Sequence, residues 1–154
     1  MVNLLTSVDE PKLTIELVPS TAWGENLRSI LTKPMWDRLR KRTYRQANFQ
    51  CEVCGGKGLK WPVECHEIWH YDDGQHTQTL QGLIALCPPC HQVKHIGFAH
   101  IQGKGDEARA HLARVNGWSQ SQASLYIGEA FEQWNERSAF EWTLNLDWLA
   151  QFDN

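Results

Sequence analysis

The chain has 154 residues, a net charge of -3 and a hydrophobic fraction of 42 %. These values suit one folded domain with a modest core and exclude a polycation that coats nucleic acid indiscriminately. No apolar run reaches membrane-spanning length, and the opening M-V-N-L-L-T-S-V-D-E lacks a basic flank and a long apolar core, so a soluble, cytoplasmic protein is expected. Eight tryptophans point to a core rich in large aromatics. Four of the five cysteines fall in two CxxC pairs, which fits metal binding in a reducing compartment better than a disulfide framework.

Residues 1–11 read as a frayed lead-in. From Lys12 to Val18 the chain alternates, with Leu13, Ile15 and Leu17 on one face, which predicts a strand ended by Pro19. Ser20 or Thr21 is the expected cap of a short helix through Leu27 to Leu31. Thr32 then caps a helix running to about Ala47, with Pro34 in its first turn. Arg38, Arg40, Lys41, Arg42 and Arg45 cluster on this helix and form a patch able to meet phosphates, although a solvated helix face reads the same way.

Cys51 and Cys54 make the first hook, followed by Gly55 and Gly56, which permit a tight turn. Residues 61–70 read as a strand, 71–80 as a polar loop, and Leu83–Leu86 as a short apolar strand. Cys87 and Cys90 form the second hook, and its prolines open a helix that carries His91 and His95 and ends near Gly97. Positions i and i+4 face one way, so both imidazoles can address one object. Beyond Gly105, Asp106 is the expected cap of a helix to Asn116, and Asn116-Gly117 stops it. Ser119 and Gln122 form a capping box for a last long helix. Phe140, Trp142, Leu144, Leu146 and Trp148 alternate as a strand, which could pair with Leu13–Val18.

Two CxxC hooks can offer four thiolates to one tetrahedral zinc ion. Hooks that flank a hairpin, with a helix leaving the second, make a treble-clef zinc scaffold. The stretches C-E-V-C-G, E-C-H-E-I and L-I-A-L-C-P-P-C-H with the final K-H, within residues 48–97, resemble the HNH endonuclease family. The resemblance implies a treble-clef, ββα-metal core over 48–97, to which the patterns above add an N-terminal strand and helix extension over 12–47 and a C-terminal helical hairpin plus strand over 106–150, an α+β fold. All of these would belong to one domain, 1–154. The resemblance further implies structural Zn²⁺ on Cys51, Cys54, Cys87 and Cys90, a catalytic Mg²⁺ or Mn²⁺ or similar ion on His66, His91 and His95, and DNA as substrate, whose phosphate backbone the separately read patch of Arg38, Arg40, Lys41, Arg42 and Arg45 would bind.

Laid on E-C-H-E-I, the family pattern places His66 on a metal-ligand position and Glu67 on the base position, so both enter as catalytic candidates. A shift by one residue makes His66 the base and Cys65 the ligand; the first register also matches Glu64 and Ile68. Two departures stand out. Glu67 replaces the usual histidine base, and its ordinary pKa is low for that task unless burial raises it. Gly82 occupies the place of the family's asparagine; Gln81, Asp72 or Asp73 are the available substitutes. Cys65 reads as a buried apolar residue. His70, Asp72 and Asp73 read chiefly as loop polarity, and His76, His100 and His111 are assigned no role. A rival reading is a zinc module that binds nucleic acid or a protein partner without cleavage. The stretch L-A-R-V-N-G-W-S-Q-S-Q-A-S-L-Y also resembles a helix-turn-helix, against which stands a plain helical hairpin followed by Glu129, Glu132 and Glu136.

Overall fold

A computed structural model describes residues 10–152; the nine residues before them, most of the proposed lead-in, lie outside the described residues. Its platform is an antiparallel hairpin, β1 (Glu64–Asp72) and β2 (Thr77–Leu86), in register from Glu64 opposite Leu86 to Asp72 opposite Thr77. Asp72 shapes the turn: its Oδ1 accepts the amides of Gly74 and Gln75 at 3.0 Å each. Most of the stretch assigned to a polar loop is therefore strand. Cross-strand pairing and the burial of Gln78 and Leu80 outweigh its low apolar content. The register slips once. Ile68 faces Gly82 and Trp69 faces Leu80, so Gln81 bulges out of β2.

On one side of the hairpin lies α2 (Lys33–Gln46), capped by the Thr32 hydroxyl as expected and preceded by α1 (Leu27–Ile30). The capping of α1 differs from the sequence expectation. Ser20–Ala22 is a separate 3-10 turn, and Asn26 caps α1 through its Oδ1 on the Ser29 amide at 3.0 Å. Across the other side runs α3 (Pro88–Lys94), which leaves the second hook directly. It does not continue smoothly to Gly97. The backbone breaks at His95 (φ -112°, ψ 47°) and resumes as α4 (Ile96–Ile101).

Helices α5 (Gly105–Asn116) and α6 (Gln120–Arg137) complete the body. Gly105, rather than a capped Asp106, opens α5, with Lys104 at the cap position and no side-chain cap bond; a Cβ at Gly105 would lie 2.1 Å from His100 Nδ1. Gly117 ends α5 in the left-handed region, and the Ser119–Gln122 capping box starts α6 with both of its hydrogen bonds. The core joins Leu86, Val93, Ile96, Leu112, Ala123 and Ile127 to Leu13 and Ile15 of the N-terminal segment.

Both proposed terminal strands need correction. Leu13–Val18 is extended and buries alternate residues, but its backbone partners are mostly side chains. Asn116 accepts the Leu13 amide and donates to the Leu13 carbonyl, both at 2.9 Å, and the Tyr126 hydroxyl accepts the Ile15 amide at 3.2 Å. Period two fixed which faces are buried; it could not say what would satisfy the backbone. The aromatic C-terminal stretch shortens to β3 (Thr143–Asn145), which lies parallel to β2 and not beside Leu13–Val18. Asn145 ends it by accepting the Asp147 amide at 2.9 Å, and Asp147–Phe152 turns as a 3-10 helix. No described helix is long and apolar enough to cross a membrane.

Candidate metal centres

The two hooks converge. Their four sulfurs all lie within 4.8 Å of one another, and Cys54 and Cys87 Sγ are 3.6 Å apart. A zinc tetrahedron with bonds of about 2.3 Å has sulfur–sulfur edges of about 3.8 Å, so the donor set fits that ion. Local geometry prepares it. Gly55 adopts φ 77°, and the Gly56 amide donates to Cys54 Sγ at 3.4 Å. Glu52 fastens the first hook to the end of β2: its amide donates to the Ala85 carbonyl at 2.9 Å, and its carboxylate accepts the Ala85 amide at 2.7 Å. Gly58 leaves no room for a side chain, since a Cβ would meet the Trp61 carbonyl at 2.2 Å and Pro88 Cδ at 2.7 Å.

Crowded thiols cannot all ionise without a cation. Cys90 beside it holds the Cys51 thiol down to about 4, burial pushes Cys87 up to about 12, and the neighbouring Cys51 pushes Cys90 upward. His111 also reaches this cluster. Its Nε2 lies 3.2 Å from Cys90 Sγ, and Arg114 lies 3.3 Å from its Nδ1. The sequence assigned His111 no role, and nothing in its spacing from the hooks signals the contact. Cys65 stays out of the cluster; it faces Thr43 of α2, and burial pushes its thiol up to about 12.

A second cluster stands on the opposite face of β1 from Cys65, where alternation points His66. His66, His91 and His95 each bring one ring nitrogen within 4.8 Å of the others, their ring centres 5.0 to 5.3 Å apart. His66 is 4 % exposed, and its Nε2 has no hydrogen-bond partner. Three imidazoles brought to one point, one of them with a buried nitrogen that has no hydrogen-bond partner, make a donor set that fits a divalent metal ion. Burial lowers the pKa of His66 and takes His95 down to about 3, so both rings stay neutral with a lone pair to give. Glu64 Oε1 lies 3.0 Å from His91 Nδ1 and so orients that ring.

A carboxylate missed from sequence completes the surroundings. Glu16 Oε2 lies 3.5 Å from His66 Nε2 and is paired with Lys94, whose Nζ also donates to Thr14 Oγ1 at 2.7 Å. Burial works to raise its pKa, but His66 and Lys94 outweigh that and hold it at about 2. Glu16 was legible only as a polar residue in an alternating stretch. Glu67 lies elsewhere: its carboxylate accepts the Leu27 amide at 2.8 Å and the Trp69 indole N–H at 3.1 Å, and burial raises its pKa. It is buried as a base would need, yet both oxygens are engaged.

The possible substitutes for the missing asparagine are not brought to the imidazoles. Gly82 is buried opposite Ile68, and Gln81 points outward in the bulge. Asp72 shapes the turn six residues beyond His66, about 20 Å along the strand. Asp73 pairs with Arg137 at 2.8 Å. The basic patch sits on α2, against the Cys65 face of the hairpin. Arg38, Lys41 and Arg45 are exposed, Arg40 binds Asp37 at 2.9 Å, and Arg42 lies 4.9 Å over the Phe152 ring. In the helix-turn-helix candidate, Ser119 and Gln122 cap each other and Gln120 accepts from Arg109 at 3.3 Å, while Glu129, Glu132 and Glu136 are exposed.

A cavity of about 940 Å³ opens beside the imidazole cluster, and none of the five basic residues of the patch lines it. No family model, curated protein or solved structure matches this chain.

Proposed function

We propose that the chain is a metal-dependent endonuclease of the HNH-like, treble-clef type, hydrolysing phosphodiester bonds of DNA. The observation that carries this reading is the convergence of His66, His91 and His95 on a hairpin and helix fastened by four cysteines. Zinc on Cys51, Cys54, Cys87 and Cys90 would hold the scaffold. His66, His91 and His95 would hold Mg²⁺, Mn²⁺ or a similar ion, which when bound stabilises charge on the phosphate oxygens. Glu64 fixes the ring of His91 for that purpose. Glu67 or His66 would take the proton of the attacking water; burial raises the basicity of Glu67, whose oxygens accept the Leu27 amide and the Trp69 indole N–H. The patch on α2 would contact the phosphate backbone from outside the centre.

A second reading, a zinc module that binds nucleic acid or a protein partner without cutting, is favoured by Gly82 and by the engaged oxygens of Glu67. Plasmid nicking separates the two. The endonuclease nicks with added Mg²⁺ or Mn²⁺ and loses this on His66→Ala while retaining one zinc per chain. A zinc-loaded, folded protein that nicks under no divalent ion is the second kind.

A further inference from the structure

We infer that the cavity beside the imidazoles receives an unstacked nucleobase, so that the substrate is a single-stranded or extruded nucleotide rather than an intact duplex. This rests on the hydrolytic reading for the position of the phosphodiester, which would lie at the imidazoles that form one wall of the cavity. Much of the remaining wall is aromatic: Trp23, Trp36, Trp69, Trp134 and Phe98 all line it. The polar edges of three of these rings are already committed. Trp23 and Trp134 both donate to the Val18 carbonyl, at 2.8 and 2.9 Å, and Trp69 donates to Glu67. What remains for an occupant is ring face. Trp23 is stacked on Trp134 with centroids 6.2 Å apart, yet it is 63 % exposed. A large indole this exposed on a cavity wall offers a face on which a flat ring can stack.

Charge narrows the guest. Arg28 is the sole arginine or lysine among the lining residues, against Glu16, Glu25 and Glu67. Such a wall disfavours a run of phosphates and accepts a flat, neutral group. A base within a duplex has both faces covered by its neighbours and cannot enter; an unstacked base can. About 940 Å³ is ample for it, drug-sized ligand pockets spanning roughly 300–1,000 Å³.

The test uses the zinc-loaded full chain with no added Mg²⁺ or Mn²⁺. An oligodeoxythymidylate single strand and a blunt duplex of equal length are titrated, read by tryptophan fluorescence and by anisotropy of a labelled strand. The single strand should quench fluorescence and bind at least about tenfold tighter than the duplex. Trp23→Ala should weaken it about tenfold, Trp23→Phe should restore most of that, and Trp148→Ala, outside the cavity, should change nothing. Trp36→Ala provides a second route if Trp23→Ala loses its zinc or its circular-dichroism spectrum. Equal binding of duplex and single strand, or folded Trp23→Ala and Trp36→Ala proteins with unchanged affinity, overturns the inference, and duplex nicking would then survive without it. Single-strand stacking in a protein that never nicks upholds the cavity's role and removes the hydrolytic reading alone.

Discussion

The four cysteines and the three imidazoles form two clusters of similar size that share one short helix, where Cys90 and His91 are neighbours, yet they are built differently. The cysteine cluster consists of two local hooks, each closed by its own turn, and it is capped by His111 and sealed by Gly58 against Pro88. The imidazole cluster draws His66 from a strand and His91 and His95 from the following helix, retains an orphaned Nε2, and opens onto a cavity. A closed, sulfur-rich donor set suits a structural ion, whereas an open, nitrogen-rich set suits one that must exchange ligands. The second cluster depends on the first, because Cys87 and Cys90 fix where α3 begins.

Stripping zinc should break this hierarchy from below and has the largest expected effect. Apparent binding energies for structural zinc are about 10–16 kcal/mol, so chelation or Cys90→Ser should abolish the cooperative thermal transition. Circular dichroism and zinc content check this, and persistence of the native spectrum in the zinc-free protein would contradict the dependence. His66→Ala should cut from above: on the endonuclease reading, metal-dependent nicking falls by about a hundredfold or more while zinc and fold remain. His111→Ala probes the cap on the cysteine side; zinc affinity should fall about 10- to 100-fold in a chelator competition, with Mn²⁺ binding at the imidazoles unchanged. Asn116→Ala has the smallest effect. It frees the Leu13 amide and carbonyl, costs about 1–3 kcal/mol, and loosens Glu16 beside His66, so Mn²⁺ affinity should drop while zinc affinity holds. If zinc affinity fell as well, the two centres would not be separable in this way.

The cysteine cluster was far more legible than its surroundings. CxxC spacing is short enough that a turn alone brings two sulfurs together, and the i, i+4 spacing of His91 and His95 works similarly. Glu67 was harder to place, because strand alternation gave its face but not the Leu27 amide that occupies it. Glu16 and His111 were invisible as site residues: each reaches its cluster through packing between segments far apart in sequence. The terminal strands failed for a related reason. Alternation in Leu13–Val18 described burial correctly, while Asn116 and Tyr126, not a neighbouring strand, satisfied the backbone.

The sequence by itself determined the two cysteine hooks, the cap of α2, the Ser119–Gln122 capping box and the stop at Gly117, because each depends on residues a few positions apart whose geometry the backbone dictates. Only the tertiary structure decided the short parallel β3, the carboxylate of Glu16 beside His66, and the cavity with aromatic lining that opens there. Those depend on which distant surfaces exclude water together, and no local spacing encodes that choice.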